Sequence, residues 1–178
     1  MNDAPTVDWP EAVHAALRRR GITLVGHVPD AGHAKLIRMC EADNDVKVVT
    51  LTTEEEGVHM LSGAWLGGLK GVLLLQSSGV GNTINALAMP NTCSIPLVML
   101  VTMRGEWGEF NPWQVPMGQG TPKCLEAMGM IVHRVDRAEE IPGAVDNALR
   151  LAFDSQQMVA VLISQQVLGA KDFRELAR

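Results

Sequence analysis

Short unbroken apolar runs alternate with segments of helical periodicity along this chain, and this alternation constrains the fold more than any other feature. Runs such as "GVLLLQ" and "IPLVMLVT" lack the apolar–polar alternation of a half-exposed strand. Strands of this kind are buried on both faces, as happens where helices cover both sides of a parallel sheet. The sequence therefore predicts a three-layer α/β fold, with a mostly parallel sheet and helices on both faces.

The predicted elements follow one another through short connections. Strands are predicted at residues 22–26, 46–51, 71–76, 95–102, 131–135 and 158–163. Helices are predicted at residues 9–19, 31–41, 54–68, 82–88, 121–128 and 138–153, with a long loop at 103–120. Because no linker or internal repeat interrupts this order, residues 1–178 are expected to form a single domain.

Charge and cysteine usage exclude several classes of partner. Fifteen basic and twenty acidic residues give a net charge of −5, which argues against nucleic acid as a partner. Cys40, Cys93 and Cys124 lie far apart and predict neither a metal site nor a disulfide framework. The acidic N-terminus lacks an apolar signal core, and no apolar run approaches the ~20 residues that span a bilayer. We expect a soluble cytoplasmic protein without a membrane partner.

The polar segments that follow the predicted strands collect the unusual chemistry of the chain. "GHVPDAGH" follows the first strand, "TTEEEG" the second, "QSSGVGN" the third and "MRGEWGEFNPWQVPMGQG" the fourth. Ligands of parallel sheets bind beyond the carboxyl ends of the strands. One functional site is therefore expected at this edge of the sheet.

Three consecutive glutamates stand at the start of the third predicted helix, and helical spacing separates them. Thr53 and Glu56 fit a capping box, which gives Glu56 a structural role. Glu54 shares an apolar stripe with Val58 and Leu61, whereas Glu55 lies on a wetter stripe. Desolvation raises the pKa of a carboxyl group and suits it to proton transfer. Glu54 is thus the candidate catalytic acid, with helix capping as the structural alternative for the cluster.

Two further features admit a structural and a functional interpretation. "QSSGVGNTINAL" lacks the Lys-Ser/Thr of a P-loop, so it is either a tight strand-to-helix turn capped by Ser78 or Asn82, or a close backbone approach to a flat ligand. Trp107, Phe110 and Trp113 lie in one loop of an aromatic-poor chain, which suggests a lid or an interface.

Four segments together resemble a known family. "TEEEGVHMLSGAWLGG", "LLLQSSGVGNTINAL", "IPLVMLVTMRGEWGE" and "MGQGTPK" resemble the thiamine-diphosphate-dependent decarboxylases of 3-sulfopyruvate and phosphonopyruvate. The likeness is to their pyrimidine-binding domain, which is a separate alpha subunit in two-chain members, and it runs from about residue 21 to residue 167. It implies non-oxidative decarboxylation of a small 2-oxo acid, with thiamine diphosphate as the cofactor.

The resemblance also implies roles for individual residues. A family glutamate hydrogen-bonds the ring nitrogen N1′ of the aminopyrimidine and lies nine residues before a glycine, which selects Glu54 from Gly63. An alignment on Trp65 selects Glu55 instead. Cofactor contacts are expected from Pro29, Asp30, Gln76, Ser77, Ser78, Gly79, Gly81 and Asn82, and substrate contacts from His27, Trp113 and Gln114.

The family pattern is incomplete in this chain. A companion domain in the family binds Mg²⁺ and the diphosphate through "GDG" and a later Asn, and no "GDG" occurs here. The resemblance therefore implies a beta subunit that carries the metal site, in an assembly of two alpha and two beta subunits or more. Where relatives tend to carry "PQH", this chain has Pro112, Trp113 and Gln114, which implies a bulkier, less anionic 2-oxo acid. An acetolactate-synthase-like carboligase subunit and a non-catalytic binding subunit are the alternatives.

Overall fold

The computed structural model describes residues 7–170, and the strands within that range form one parallel sheet. They are β1 (Leu24–His27), β2 (Lys47–Thr50), β3 (Gly71–Gln76), β4 (Leu97–Thr102), β5 (Ile131–Val135) and β6 (Met158–Ile163). The strand order is β2-β1-β3-β4-β6-β5, and every neighbouring pair is parallel. The predicted fold class is confirmed. The sequence predicted a mostly parallel sheet, and the sheet within residues 7–170 is parallel at every neighbouring pair.

Helices cover both faces of this sheet. They are α1 (Trp9–Arg19), α2 (Ala34–Glu41), α3 (Glu54–Leu66), α4 (Ser77–Thr83), α5 (Ala88–Thr92), α6 (Val115–Ala127), α7 (Ile141–Ser155) and α8 (Gln165–Leu168). α1, α2 and α7 pack on one face through a core that includes Leu74, and α3, α4 and α6 pack on the other through a core that includes Leu73. Adjacent residues of β3 therefore serve opposite cores. No helix within residues 7–170 is long and apolar enough to span a membrane.

The chain order places a crevice between the carboxyl ends of β1 and β3. From β1 the chain passes to β2 on one side, and it then returns to β3 on the other side of β1. His27 and Leu74 are register partners, so the segment that leaves β1 begins beside the last two residues of β3. Open α/β sheets bind ligands at such a reversal of strand order.

The helix predicted at residues 82–88 is wrong. α4 begins at Ser77, directly at the end of β3, and ends at Thr83, so both glycines of "GVG" lie inside a helix. Each glycine costs a helix about 1 kcal/mol relative to alanine, which is why the pattern favoured a turn. Tertiary packing overrides that preference, because Val80 is fully buried in the core and Gly79 lies against another helix.

The long loop predicted at residues 103–120 is wrong in its second half. A short 3-10 helix spans Pro112–Gln114, and α6 begins at Val115. Pro116 does not interrupt α6, because the first-turn N–H groups of a helix have no intrahelical partner. Gly118 is required there, since a Cβ at this position would lie 2.1 Å from the carbonyl oxygen of Arg104.

Candidate active site

The three glutamates have different environments at the start of α3. Glu54 is only 8% exposed, whereas Glu55 and Glu56 are exposed. Glu56 Oε2 accepts hydrogen bonds from the backbone N–H groups of Thr52 at 2.6 Å and Thr53 at 3.4 Å, which is the capping role that the sequence predicted. The burial expected of Glu54 from its apolar stripe is confirmed.

The Glu54 carboxylate is held between two residues of α4. Asn82 Nδ2 donates to Glu54 Oε2 at 2.8 Å. The other oxygen, Oε1, lies against Gly79, where an added Cβ would be only 2.0 Å away. Gly81 differs, because its nearest neighbour would be Met117 Sδ at an ordinary 3.5 Å. A side chain at position 79 would collide with this carboxylate, whereas a side chain at position 81 would not. Only Gly79 therefore has to be a glycine for the carboxylate to lie here.

Asp30 connects the ends of three strands at the crevice. Its Oδ1 accepts from Gln76 Nε2 at 3.0 Å, and its Oδ2 accepts from Thr102 Oγ1 at 2.6 Å. Oδ2 also lies 3.3 Å from the backbone N–H of His33. Ser78 Oγ in turn donates to Gln76 Oε1 at 2.8 Å. The structure thus brings together Asp30, Gln76 and Ser78 of the predicted cofactor contacts.

Ser77 is fully buried and links α4 to its neighbours. Its Oγ accepts from the backbone N–H of Arg104 at 3.0 Å, and its carbonyl oxygen accepts from Thr121 Oγ1 at 3.3 Å. The hydroxyl therefore supports the site from beneath. Pro29, by contrast, is exposed at the mouth of the crevice.

His27 is not brought together with Glu54. Val25 belongs to the core beneath α1, α2 and α7, and His27, two residues further along β1, faces the same way. Its Nε2 lies 3.2 Å from Thr50 Oγ1, and its buried Nδ1 has no partner among the described residues. It lines an open pocket of about 380 Å³ beside α2 together with Arg38. Glu54 begins α3, on the opposite face of the sheet.

A second pocket, of about 350 Å³, adjoins the first at Asp30. Its lining includes Trp9, Lys35, Arg38, Thr102, Arg104 and Gln165. Sequence reasoning named only Asp30 among the residues of this pocket. The others come from segments far apart in the chain, and no local pattern groups them.

A buried ion pair that sequence reasoning missed stabilises the segment after β4. Arg104 Nε and Nη2 donate to Glu109 Oε2 and Oε1 at 2.6 and 2.5 Å. The Glu109 side chain is 3% exposed and also accepts from the backbone N–H groups of Gly105 and Asn111 and from Gln165 Nε2. The Arg104 guanidinium holds the pKa of Glu109 down at about 2.

The predicted substrate residues of the same segment lie near its surface. Trp113 is 88% exposed, and Gln114 is half-buried with an Oε1 that has no partner among the described residues. Met117 Sδ would lie 3.5 Å from a Cβ on Gly81, so the end of this segment lies close to α4, one residue from Asn82. The segment after β4 therefore borders the corner of the site that holds Glu54.

Known proteins share this sequence pattern. The family described as thiamine pyrophosphate enzyme, N-terminal TPP binding domain, matches residues 8–120. Sulfopyruvate decarboxylase subunit alpha of Methanococcus maripaludis is 34% identical over 154 residues, which are 86% of this chain and 92% of that protein. Sulfopyruvate decarboxylase of Methanosarcina acetivorans is 33% identical over 167 residues, which are 93% of this chain and 42% of that protein.

A solved structure shares the fold. The 2-oxoglutarate:ferredoxin oxidoreductase of Magnetococcus marinus superposes with a TM-score of 0.68 over 91% of this chain and 29% of that chain, at 15% identity. The matched family domain covers more than half of the chain, and the M. maripaludis relative is matched over nearly its whole length. The chain therefore belongs to the thiamine pyrophosphate enzymes, as a member of the family of sulfopyruvate decarboxylase alpha subunits, which are carboxy-lyases.

Proposed function

We propose that this chain is the pyrimidine-binding subunit of a two-chain, thiamine-diphosphate-dependent 2-oxo acid decarboxylase, and that Glu54 is its cofactor-activating acid. One observation carries the proposal. Of three adjacent glutamates, only Glu54 is buried, and it is held by Asn82 and Gly79 where the third helix meets the fourth. A desolvated, fixed carboxyl group at the carboxyl edge of a parallel sheet is suited to sharing a proton with a ring nitrogen.

The residues present fit an aminopyrimidine ring. The Glu54 carboxyl can exchange a hydrogen bond with a ring nitrogen, and the absence of a side chain at Gly79 lets the carboxyl group occupy this position. Bound there, thiamine diphosphate would supply the electron sink that a 2-oxo acid needs in order to lose carbon dioxide. The protein's part is to hold and polarise that ring.

The surrounding residues have separate tasks in this proposal. Asn82 fixes the orientation of Glu54 through Oε2. Asp30, Gln76 and Ser78 form a connected polar wall of the crevice and are proposed to contact the cofactor or the substrate. Ser77, whose hydroxyl already accepts from Arg104, is assigned to support rather than to contact.

We further propose a companion subunit that contributes the diphosphate and Mg²⁺ half of the site. The M. maripaludis relative is named subunit alpha and has nearly the same extent as this chain. The M. acetivorans relative, named without a subunit, contains a larger part to which this chain has no counterpart. A second polypeptide equivalent to that larger part would complete the enzyme.

A reducing, cytoplasmic location would keep the free Cys40, Cys93 and Cys124 as thiols.

Glutamine variants of the three glutamates test the proposal. Glu54→Gln keeps size and hydrogen bonding but removes the acid, so turnover of the reconstituted complex should fall about 10²–10⁴-fold. Hydrogen–deuterium exchange at the thiazolium C2 of bound cofactor should slow in parallel. Glu56→Gln should cost little, since glutamine also closes a capping box, and Glu55→Gln is the exposed control.

The same variants show how the proposal could be wrong. If Glu55→Gln stops exchange and Glu54→Gln does not, the activating residue is Glu55 and not Glu54. Normal exchange in all three variants would refute the cofactor assignment.

A panel of 2-oxo acids then identifies the substrate. We expect an apolar or less charged acid to be preferred, because Trp113 and Gln114 stand where the imidazole of relatives is expected, and a strong preference for sulfopyruvate would contradict that expectation.

A further inference from the structure

We infer that the exposed surface of Trp107, Trp113 and Val115, the tryptophan platform, is a preformed docking site for the companion subunit. The inference rests on the proposed function, because the companion is the one that would complete the thiamine-diphosphate site. It assigns to these residues subunit recognition rather than closure of a lid over the substrate.

The platform groups three exposed apolar side chains within one short segment, residues 107–115. Trp113 is 88% exposed, Trp107 is 55% exposed and Val115 is 39% exposed. The chain contains only four tryptophans, and two of them lie on this surface. Tryptophan is enriched at the energetic centres of protein interfaces, where one indole can dominate the affinity.

The backbone that carries Trp107 is fixed from below. Gln165 Oε1 accepts from the N–H groups of Glu106 and Trp107 at 3.0 and 3.1 Å, and Gln165 Nε2 donates to Glu109 at 2.9 Å. The Glu106 carboxylate pairs with Arg134, which lies in the edge strand β5. This part of the platform is therefore held by a partly buried polar network and not by its indole.

The backbone that carries Trp113 is equally constrained. Its N–H donates to Oδ1 of Asn111, the residue that caps the start of the short 3-10 helix, at 3.1 Å. A Cβ on Gly105 would lie 2.3 Å from the carbonyl oxygen of Gln114, so the two ends of the segment pack backbone against backbone. Gln119 Nε2 adds a hydrogen bond to the carbonyl oxygen of Gly105 at 3.1 Å. These contacts fix the backbone on which Trp113 stands, and a preformed surface loses less entropy on binding.

The position of the platform indicates what covers it. Val115 begins α6, and Met117 of the same helix lies 3.5 Å from where a Cβ on Gly81 would stand, next to the Asn82 that holds Glu54. A polypeptide that holds the diphosphate end of a cofactor whose pyrimidine ring lies at Glu54 approaches this edge and meets the platform. In the M. acetivorans relative the larger unmatched part belongs to the same polypeptide, so the two halves stay together permanently in that protein. Permanent contacts are the more apolar class of interface.

The test measures subunit affinity and catalysis separately. The probe is the purified companion chain that carries "GDG" and a later Asn and that restores decarboxylation to the wild-type chain. Calorimetric titration should show the Kd rise about 30-fold or more for Trp113→Ala, since truncating an interface anchor costs at least ~2 kcal/mol. Trp107→Ala should weaken binding as well. Leu66→Ala, at a leucine that is 76% exposed at the far end of α3, is the control and should stay within about threefold of wild type.

Several results would overturn the inference. A raised KM for Trp113→Ala with an unchanged subunit Kd would make Trp113 a substrate contact. If the wild-type chain self-associates and Trp113→Ala abolishes that self-association, the platform binds a second copy of this chain. Equal losses from Trp113→Ala and Leu66→Ala would show a general effect of apolar truncation. Failure of the wild-type chain to bind any such companion would refute the two-chain enzyme itself, and the docking site with it. Thermal unfolding of each variant should match wild type, because the truncated side chains are exposed.

Discussion

Replacing Gly79 with alanine tests whether the position of the Glu54 carboxylate, and not merely its presence, is needed for turnover. The added Cβ would lie 2.0 Å from Glu54 Oε1, 2.3 Å from its Cδ and 2.6 Å from its Cγ. Contacts below 3.0 Å essentially never occur for real Cβ atoms, so the carboxylate has to move by about 1 Å or more. A misplacement of about 1 Å can cost about 10²-fold in rate, and we expect a loss of that size.

Gly81→Ala is the matched control for this change. It makes the same substitution in the same helix two residues later, where the nearest atom is Met117 Sδ at 3.5 Å. Alanine is favoured over glycine inside a helix by about 1 kcal/mol, so this variant should leave the Glu54 carboxylate in place and gain stability. In Gly79→Ala the same gain is offset by the displaced carboxylate.

Two measurements decide between the variants. Turnover of the reconstituted complex reports the catalytic effect. The side-chain amide resonances of Asn82 in the free chain report the hydrogen bond to Glu54 without any cofactor. Gly79→Ala should shift these resonances and Gly81→Ala should not. If Gly79→Ala retains turnover within about threefold of wild type while the Asn82 resonances shift, the fixed position of Glu54 is irrelevant to catalysis, and the reasoning fails.

Three other predictions follow from the described contacts. Asn82→Ala removes the donor to a buried carboxylate, so the free energy of unfolding in urea should fall by about 1–3 kcal/mol, and an unchanged midpoint would contradict the contact. The pKa of Glu109 is lowered from 4.5 to about 2 by Arg104, so its contribution is present above about pH 4.5 and is lost as pH falls towards 2. That contribution is at most about 3 kcal/mol, and Glu109→Gln should flatten the acid limb of the stability curve, whereas an identical limb would refute the assignment. Burial raises the pKa of the Cys40 thiol to about 11, so near pH 8 only about one thiol in a thousand is ionised, and mass spectrometry should find iodoacetamide on exposed Cys93 long before Cys40.

The parts of the fold that could be predicted from the sequence depend on short-range pattern. β3 occupies the predicted residues because an apolar run bounded by Gly71 and Gln76 leaves little choice of register. The burial of Glu54 followed from its helical spacing to Val58 and Leu61, which are 0% and 4% exposed. Both inferences use neighbours within two helical turns or within one strand.

The parts that were missed depend on contacts between distant segments. α4 forms although it contains two glycines, because packing against α3 and α6 outweighs their low helix propensity. Glu109 and Gln165 are 56 residues apart, and nothing local to either one indicates that they pair. The face of the sheet on which the His27 side chain lies could not be predicted from the sequence either. The strand was predicted to end at Gly26, and its extension by one residue decides which face the side chain occupies.

The residues of the proposed site and the residues with positive φ that precede β3 and β6 lie at opposite ends of the strands. This separation affects which substitutions such a chain can accept during evolution. Glu54, Asp30 and the tryptophan platform all follow the carboxyl ends of strands, whereas the residues with positive φ that precede β3 and β6, Gly68 at +84° and Gln156 at +55°, lie at the amino edge. Substitutions at distant sites without shared partners act additively. Gln156→Gly, for example, would relieve a left-handed backbone at no cost to the chemistry. A lineage can therefore accumulate stability at the amino edge while it explores new substrates at the carboxyl edge.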